Sequence, residues 1–432
     1  MTLKAIRFGY GLPGPIGKAV RAEAPGQDVV ADIVSTYREM QRSDGMDEDA
    51  RRKLRRRLPQ TLGRQAQVTI ARAVSPQDDA LERFANFWTD HFTVSLQGFE
   101  NALFVQPFVD NAIRPNVYRR FADMLKAAVT HPAMLLYLDQ PQSMGDNSFV
   151  GKLRPKRGLN ENLAREVLEL HTLGVGAPYT QTDVRELAEL FTGLSMSRAK
   201  LEFQFRPSLS EPGPEVVLGK EYGGAHVAAL DEILAALEDL AKHKATSEHL
   251  ARKLAVHFVS DAPSEALVDE LARVYRQNDT QLRPVYDALR AHPETERAFG
   301  AKAKQPLDFV VSGLRALGIS GQDVLQADLR QFRDVVLDPL RRMGQPFRQP
   351  NGPDGWPEDL GAWITPAALS ERVFWAMNVQ TAIGLNDLDP MDVLERALGE
   401  VASDQLRWAA PKAETRAQGV ALVLASPEFN RR

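Results

Sequence analysis

Helical spacing of apolar residues is the feature that most restricts how this chain can fold. Apolar side chains recur every three or four residues, for example at Leu81, Phe84 and Trp88, and again at Leu250 and Leu254. Few segments show the period of two that is typical of strands. The sequence therefore predicts a mainly α protein with a large multi-helix body.

Composition supports a folded chain and excludes several classes of chemistry. Of the 432 residues, 44% are hydrophobic and 25% are charged, which is typical of globular proteins and not of disordered or collagen-like ones. The 53 basic and 57 acidic residues leave a net charge of −4, so no overall positive field favours nucleic acid. The chain has no cysteine, which excludes disulfides, thiolate catalysis and iron–sulfur ligation. Any metal must therefore bind to histidine, carboxylate or backbone oxygen.

The sequence gives no sign of membrane insertion or export. The first nine residues lack the apolar stretch of a secretory signal. No uninterrupted apolar run approaches the roughly 20 residues that span a bilayer. We therefore expect a soluble chain without a transmembrane segment, cytoplasmic by default unless the true start lies upstream.

Two intervals depart from the helical pattern. The residues Leu201–Phe205 alternate, and Val216–Leu218 continue after a turn, which predicts a β-hairpin ribbon over 201–224. The segment Gly344–Pro357 has too much proline and glycine for a regular element, so it is predicted to form a long ordered loop. We expect Trp356 to anchor this loop in the helical body and Arg348 to lie towards the carboxylates near residue 166.

These intervals suggest a division of the chain. We predict an N-terminal helical region over 1–200 that carries the histidine- and glutamate-rich helices, followed by a hairpin insertion over 201–224. A helical region over 225–300 and a C-terminal helical region over 301–432 complete the chain. We expect all four to form one continuous body.

The run Arg51–Arg57 is the strongest concentration of charge. It fits either a phosphate-binding patch or a solvated helix face whose charge is offset by acidic residues 47–49. No aromatic residue interrupts the run, which favours the solvated face.

Two predicted helices around residues 160–194 hold the densest set of reactive side chains. At about 100° per residue, Asn162, Glu166 and Glu169 lie on one side of the first helix, and Val167 and His171 lie on the other. Glu166 and His171 therefore cannot bind one ion from a regular helix. A site would use Glu166 with Glu169, or His171 with groups from other elements.

His91 and His171 each allow two interpretations. Each is explained as a core histidine that bonds to a backbone carbonyl, or as part of a shared site. The concentration of acidic and imidazole groups near them favours a site with a divalent metal or acid–base chemistry. The candidate catalytic residues are His91, Glu166 and His171, and the candidate metal ligands are His91, His171, Asp139, Glu169 and Asp183.

Two of the polar residues in this region also fit local capping. Thr180 precedes Asp183 by three residues, which is the spacing of a capping box. His131 precedes Pro132, where it is as well placed to cap a helix as to take part in chemistry.

Ten segments resemble a known family of bacterial proteins, domain of unknown function 1800. The segments are Phe87–Ser95, His131–Leu135, Tyr137–Asp139, Asn160–Asn162, Leu170–Val175, Tyr179–Gln181, Lys302–Gly318, Gly344–Pro346, Gly355–Trp356 and Ser426–Phe429. The resemblance implies a partner from domain of unknown function 1501, whose members resemble phosphatase and sulfatase metalloenzymes, and it implies a location at the cell envelope for exported relatives. Relatives place a His-Asp pair where this chain has Ser208–Glu211, so a site that used that pair would be altered here.

Two functions follow from these observations. The first is a metal-assisted hydrolase in which His91, His171 and a carboxylate from separate helices activate water. The alternative is a non-catalytic partner or assembly protein that acts with a protein of the domain of unknown function 1501 family. The first requires the two histidines to face a common cleft, whereas the second allows them to be buried apart.

Overall fold

A computed structural model describes residues 7–10, 35, 48–95, 101–153, 158–197, 201–224 and 228–432. The first half of this part contains eight α-helices and four strands. They are α1 (Glu48–Val74), α2 (Asp79–His91), α3 (Asn101–Phe108), α4 (Phe121–Val129), α5 (Pro132–Tyr137), α6 (Phe149–Leu153), α7 (Asn162–Glu166), α8 (Gln181–Leu190), β1 (Leu194–Ser197), β2 (Glu202–Phe205), β3 (Glu215–Val217) and β4 (Lys220–Tyr222).

The second half of the described chain is helical. Its helices are α9 (Leu230–Lys242), α10 (Lys244–Phe258), α11 (Glu265–Gln277), α12 (Leu282–Ala291), α13 (Pro293–Arg297), α14 (Pro306–Ala316), α15 (Gly321–Gln326), α16 (Leu329–Phe332), α17 (Asp338–Arg342), α18 (Leu360–Trp363), α19 (Pro366–Ile383), α20 (Pro390–Ala397), α21 (Asp404–Ala409) and α22 (Arg416–Ala425). Wide π-type turns occupy Val109–Ile113, Val167–His171 and Arg333–Leu337, and 3₁₀ turns occupy Arg114–Asn116, Gln140–Gln142, Pro207–Leu209, Gly399–Val401 and Ala410–Lys412. The prediction of a mainly α protein is confirmed.

The ribbon consists of two antiparallel hairpins, which corrects the predicted strand pairing. Strand β2 pairs upstream with β1, with Leu194 opposite Phe205, and β3 pairs with β4. The predicted partners Leu201–Phe205 and Val216–Leu218 therefore belong to different hairpins. Leu218 and Gly219 both have positive φ, 51° and 77°, as a two-residue hairpin turn requires, so the chain reverses immediately after β3.

Local capping sets the boundaries of several helices near the site. Thr180 and Asp183 form the predicted capping box at the start of α8. The Nδ1 atom of His131 accepts a hydrogen bond from the Ala133 amide, 3.1 Å away, and thereby caps α5. A side-chain acceptor at this position satisfies an amide that has no partner within the helix.

Two groups of buried apolar side chains form the core. The first consists of Phe8 with residues between 80 and 289, and the second consists of Tyr10 with residues 66–74 and 309–429. The C-terminal half of α1 therefore packs with the last third of the chain. The predicted region boundaries near residues 200, 225 and 300 stay predictions.

The basic run lies in the N-terminal half of α1. Arg52 forms an ion pair of 2.7 Å with Asp49, and both side chains are mostly exposed. The side chains of Arg51, Lys53 and Arg55 lie outside the described residues. Over the described ranges, no helix is long and apolar enough to cross a membrane.

A buried ionic bridge joins the two cores. Asp308 on α14 accepts hydrogen bonds from Arg83 on α2 and from Arg432. All three side chains are almost fully buried. Burial acts to raise the pKa of Asp308, but the charges of Arg432 and Arg83 outweigh it and the pKa is lowered. Asp308 is therefore ionised and holds α2 against the second core.

We predict that Asp308→Asn lowers the free energy of unfolding by about 3–5 kcal/mol, because it removes the buried carboxylate with which both Arg83 and Arg432 pair. Urea denaturation at pH 7 measures this loss. The control is Asp269→Asn, on the exposed side of α11. A loss equal to that of the control would contradict the prediction.

Candidate functional site

A cleft lies between α2 and the loop Gly344–Pro357. The loop is ordered and contains no helix or strand, which confirms that prediction. The space beneath it, which we call the loop cleft, measures about 600 Å³ including its open mouth. Its polar lining includes Asn86, Thr89 and Asp90 of α2, His257 of α10, and Arg348 and Trp356 of the loop.

Asp90 attaches the loop to α2. Its two carboxylate oxygens accept hydrogen bonds from the Trp356 amide at 3.1 and 3.2 Å. The preceding residue, Gly355, has φ of 85°, and a Cβ atom there would lie 2.8 Å from Oδ2 of Asp90. Glycine at this position therefore provides both the left-handed backbone and the space for the carboxylate.

The carboxyl of Asp90 holds its proton unusually well. Burial, helped by the charges of Glu358 and Asp354, raises its pKa to about 7, although Lys253 and the Trp356 amide act to lower it. Asp90 therefore exchanges a proton near neutral pH.

His257 is oriented by a carboxylate. Its Nδ1 atom donates a hydrogen bond to Oε1 of Glu358, just beyond the loop. Burial acts to raise the pKa of Glu358, but His257, Arg432 and Lys302 lower it to about 2, so this carboxylate is ionised. Burial also lowers the pKa of His257 to about 4. A neutral imidazole that donates from Nδ1 has a free electron pair at Nε2.

That Nε2 atom is buried and has no hydrogen-bond partner among the residues that the structure describes. His257 is also one of the residues that line the loop cleft. A neutral imidazole that is oriented by a carboxylate and has no partner at Nε2 has the arrangement of a general base.

The polar face of α10 carries a row of three basic groups. His249, Lys253 and His257 follow at intervals of four residues, so they lie on one side of the helix. Burial lowers the pKa of Lys253, although the charges of Asp90 and Glu358 act to raise it. The row connects the loop cleft to the buried histidines near α7.

His91 and His171 lie close together in the core. Their ring centroids are 6.0 Å apart, and the ring of His249 lies 6.4 Å from that of His91. Nε2 of His91 donates to the carbonyl oxygen of His171, and Nε2 of His249 donates to that of Leu170, each over 3.2 Å. Both carbonyls belong to the wide turn that ends α7, where backbone oxygens need partners from outside the helix.

These imidazoles are therefore neutral and support the backbone. Burial lowers the pKa of His91, of His171 to about 3 and of His249 to about 4. The bond from His91 to a carbonyl agrees with the core interpretation of that residue, and His249 makes the same kind of bond. Nδ1 of His91 and Nδ1 of His171 are buried, and within the described ranges neither has a hydrogen-bond partner.

The helix around residue 166 has one buried side. Val167 and His171 are buried as expected, whereas Asn162 is exposed and Glu166 is partly exposed. Val175, placed on the buried side by helical spacing, is 76% exposed because the helix ends at His171. The helix is thus buried on one side only.

The predicted carboxylates lie in separate surroundings. Asp139 accepts from Gln142, Glu169 pairs with Arg165 at 3.3 Å as expected, and Asp183 accepts from the amides of Thr180 and Leu218. Burial and the charges of Glu169 and Asp354 raise the pKa of Glu166 to about 7. Over the described residues, no three ligand atoms drawn from the predicted set lie within 4.8 Å of one another. The predicted metal ligands therefore do not form one group as placed.

Two expectations about the loop need correction. Arg348 lies near Asp110, Arg72 and Arg114, and not beside Glu166; the loop residue whose charge acts on Glu166 is Asp354. Trp356 is only partly buried. Its ring lies 6.1 Å from that of Trp363, which is buried and donates to the Pro357 carbonyl, so Trp363 is the deeper anchor.

Sequence reasoning missed Asp90, Lys253, His257 and Glu358. The spacing of His249, Lys253 and His257 could have predicted part of this site. Residues four positions apart lie on the same side of a helix, so these three form a row of histidine and lysine side chains. Nothing local connects His257 with Glu358, 101 residues further along the chain.

Comparison with known proteins identifies a family but no activity. Residues 5–431 match the sequence model of the family described as protein of unknown function (DUF1800). No curated protein and no solved structure matches the chain. The family resemblance is confirmed, and function has to be argued from the geometry of the site.

We predict that Asp90→Asn becomes more stable relative to the wild type as pH rises. Between about pH 4, the usual range of an unfolded aspartate, and pH 7, folded Asp90 keeps a proton that the unfolded chain releases. Its contribution to stability is therefore present below pH 4 and is lost as pH rises to 7, whereas asparagine does not titrate. The expected gain between pH 5 and 8 is at most about 3 kcal/mol.

Urea denaturation of both proteins at pH 5, 6, 7 and 8 measures this difference. Asp269→Asn, at an exposed position on α11, serves as the control. A pH-independent offset for Asp90→Asn would show that Asp90 is an ordinary ionised carboxylate.

Proposed function

Because the chain belongs to the family described as protein of unknown function (DUF1800), which names no activity, we propose from the loop cleft that it is a hydrolase that uses acid–base catalysis. One observation carries this proposal: the Nε2 atom of His257, oriented through Glu358, is unused and belongs to a residue that lines the cleft. His91 and His171 also have a ring nitrogen without a partner in the described part of the chain, but only His257 of the three lines the loop cleft.

The reaction follows from these groups. Nε2 of His257 takes a proton from a water molecule, and the water oxygen bonds to the carbonyl carbon or phosphorus of the substrate. The bond to the leaving group breaks, and the protonated Nε2 returns its proton to that group. The ionised Glu358 stabilises the imidazolium formed in between, as the carboxylate does in Ser-His-Asp enzymes.

Two other residues of the cleft support this reaction. Nε of Arg348 is buried without a hydrogen-bond partner in the described part of the chain, so its guanidinium has a donor free for a developing negative oxygen. Asp90, with its pKa near 7, is a second group that exchanges protons at neutral pH. The cleft thus combines a base, an anion-binding donor and an acid.

The residues that the sequence predicted to be catalytic are not the catalytic residues of this proposal. His91 donates to the carbonyl of His171 at the end of α7 and acts as a positioning residue, His171 is buried beside it, and Glu166 lies near Asp354 at the edge of the loop. A metal-assisted reaction at His91 and His171 would require side-chain movement to bring a third ligand to them. Elemental analysis of protein purified without added metal tests this version, and we expect the same metal content for wild type and His171→Ala.

We predict that His257→Gln lowers kcat by about 10²- to 10⁴-fold, the usual contribution of a general base, with a smaller loss for Glu358→Gln. Hydrolysis of p-nitrophenyl acetate, p-nitrophenyl butyrate and p-nitrophenyl phosphate gives the rates. The matched control is His292→Asn, because asparagine keeps the helix-capping role of His292.

A second measurement does not depend on the choice of substrate. In ¹⁵N NMR spectra at pH 7, His257 should be neutral and carry its proton on Nδ1. Turnover that is equal in wild type and His257→Gln, or a proton on Nε2, would contradict the proposal.

A partner-binding function is the second candidate, and the exposed side of α19 favours it. The exposed positions of this helix include Leu369, Val373, Phe374 and Met377, and none of them carries a charge. Phe374 and Met377 are 55% and 57% exposed. Exposed apolar surface of this kind is typical of protein contacts.

If this surface binds a protein of the domain of unknown function 1501 family, Phe374→Glu should weaken the complex by at least about tenfold, because it places a charge in an apolar contact. Calorimetric titration with a purified member of that family measures the change. Phe149→Glu, at an exposed phenylalanine elsewhere, is the control. No binding by the wild type would exclude this partner.

A further inference from the structure

Three glutamates meet where the second hairpin packs on α8. Glu186 and Glu189 lie one turn apart on α8, and Glu215 begins β3. One carboxylate oxygen of each lies within 4.8 Å of the others. We call this set the glutamate cluster.

The backbone holds the cluster in place. The Val216 amide donates to Oε2 of Glu186, and the Leu218 amide donates to Oδ1 of Asp183, each over 2.8 Å. The middle of β3 and the turn that follows it are thus attached to carboxylates of α8. Glu215, which precedes Val216, is directed towards Glu186 and Glu189 as a consequence.

Glu215 is the unusual member because it is buried without a donor. Only 5% of the residue is exposed. Its only side-chain hydrogen-bond partners in the described part of the chain are the carboxyl groups of Glu186 and Glu189, which are themselves acceptors. A buried carboxylate in a protein is normally paired with a cation or with N–H donors.

Charge in the cluster is not balanced. Arg185 forms an ion pair of 3.0 Å with Glu189, and this arginine is largely exposed. With all three carboxyl groups ionised, a charge of −3 faces this one cation.

We propose that the glutamate cluster is a binding site for a divalent, oxygen-preferring cation of the Ca²⁺ class. Such an ion takes carboxylate oxygens at about 2.3–2.6 Å, so two ligands on opposite sides lie about 4.6–5.2 Å apart, and the cluster is compatible with this spacing. An all-carboxylate set disfavours Zn²⁺ and Cu²⁺, which prefer nitrogen or sulfur ligands. The ion supplies the counter-charge that Glu215 lacks and fixes the second hairpin to α8.

This site is independent of the proposed hydrolase. None of its residues lines the loop cleft, and none belongs to the metal set predicted around His91 and His171. A cation here would be structural, and its loss would loosen the hairpin.

Calorimetric titration of the metal-free full chain with CaCl₂ at pH 8.5, where carboxylic acids favour the ionised form that binds cations, tests the proposal. We expect one Ca²⁺ per chain with a Kd of about 10⁻⁵–10⁻³ M. Glu215→Gln and Glu189→Gln should each weaken binding by at least about tenfold. Even the mutation of a residue that only supports a metal ligand lowers metal affinity by about that factor. Glu248→Gln, on the partly exposed surface of α10, should bind as the wild type does.

Thermal unfolding gives a second readout. Ca²⁺ in excess should raise Tm of the wild type and of Glu248→Gln, but not that of Glu215→Gln, because a ligand stabilises only the state that binds it. The glutamine amide can donate to Glu186 and Glu189, so Glu215→Gln is expected to fold. No Ca²⁺ binding by the wild type, or equal binding by Glu215→Gln, would overturn the proposal in favour of a protonated Glu215.

Discussion

The buried bridge of Arg83, Asp308 and Arg432 fixes the relative position of the two cores. Arg83 belongs to the helix that also carries Asp90, and Asp308 belongs to the second core. Because an unpaired buried charge costs several kcal/mol, this bridge strongly favours one arrangement of the helices. The loop cleft lies beside it, with walls from α2, α10 and the loop. Its shape therefore depends on the ionised Asp308.

Neutral histidines support the backbone at the end of α7. The wide turn at the end of α7 exposes the carbonyls of Leu170 and His171, and His249 and His91 donate to them. A charged imidazolium in the same place would be buried without a counter-ion, which explains why burial lowers the pKa of both histidines. Of the two histidines predicted to be reactive, His91 thus stabilises the backbone and His171 supplies the carbonyl that it binds, and the free imidazole nitrogen at the cleft belongs to His257.

The candidate site depends on residues that are distant in sequence. Asp90 meets Trp356 and His257 meets Glu358, and both contacts form only when the loop folds back over α2 and α10. Helix periodicity alone cannot show which part of the chain covers Asp90. The capping of α8 by Thr180 and Asp183, in contrast, was predictable because it uses residues three positions apart.

The sequence by itself determined the helical class, the helix caps, the irregular loop and the absence of cysteine chemistry. Periodicity and turn residues act between neighbouring residues, and composition does not depend on the fold. Tertiary structure decided the pairing of the hairpins, the role of each histidine and the protonation of Asp90 and Asp308. These properties depend on burial and on charges brought within a few ångströms from distant parts of the chain. A carboxylate such as Asp90 is the same side chain in any sequence, and only its surroundings raise its pKa to about 7.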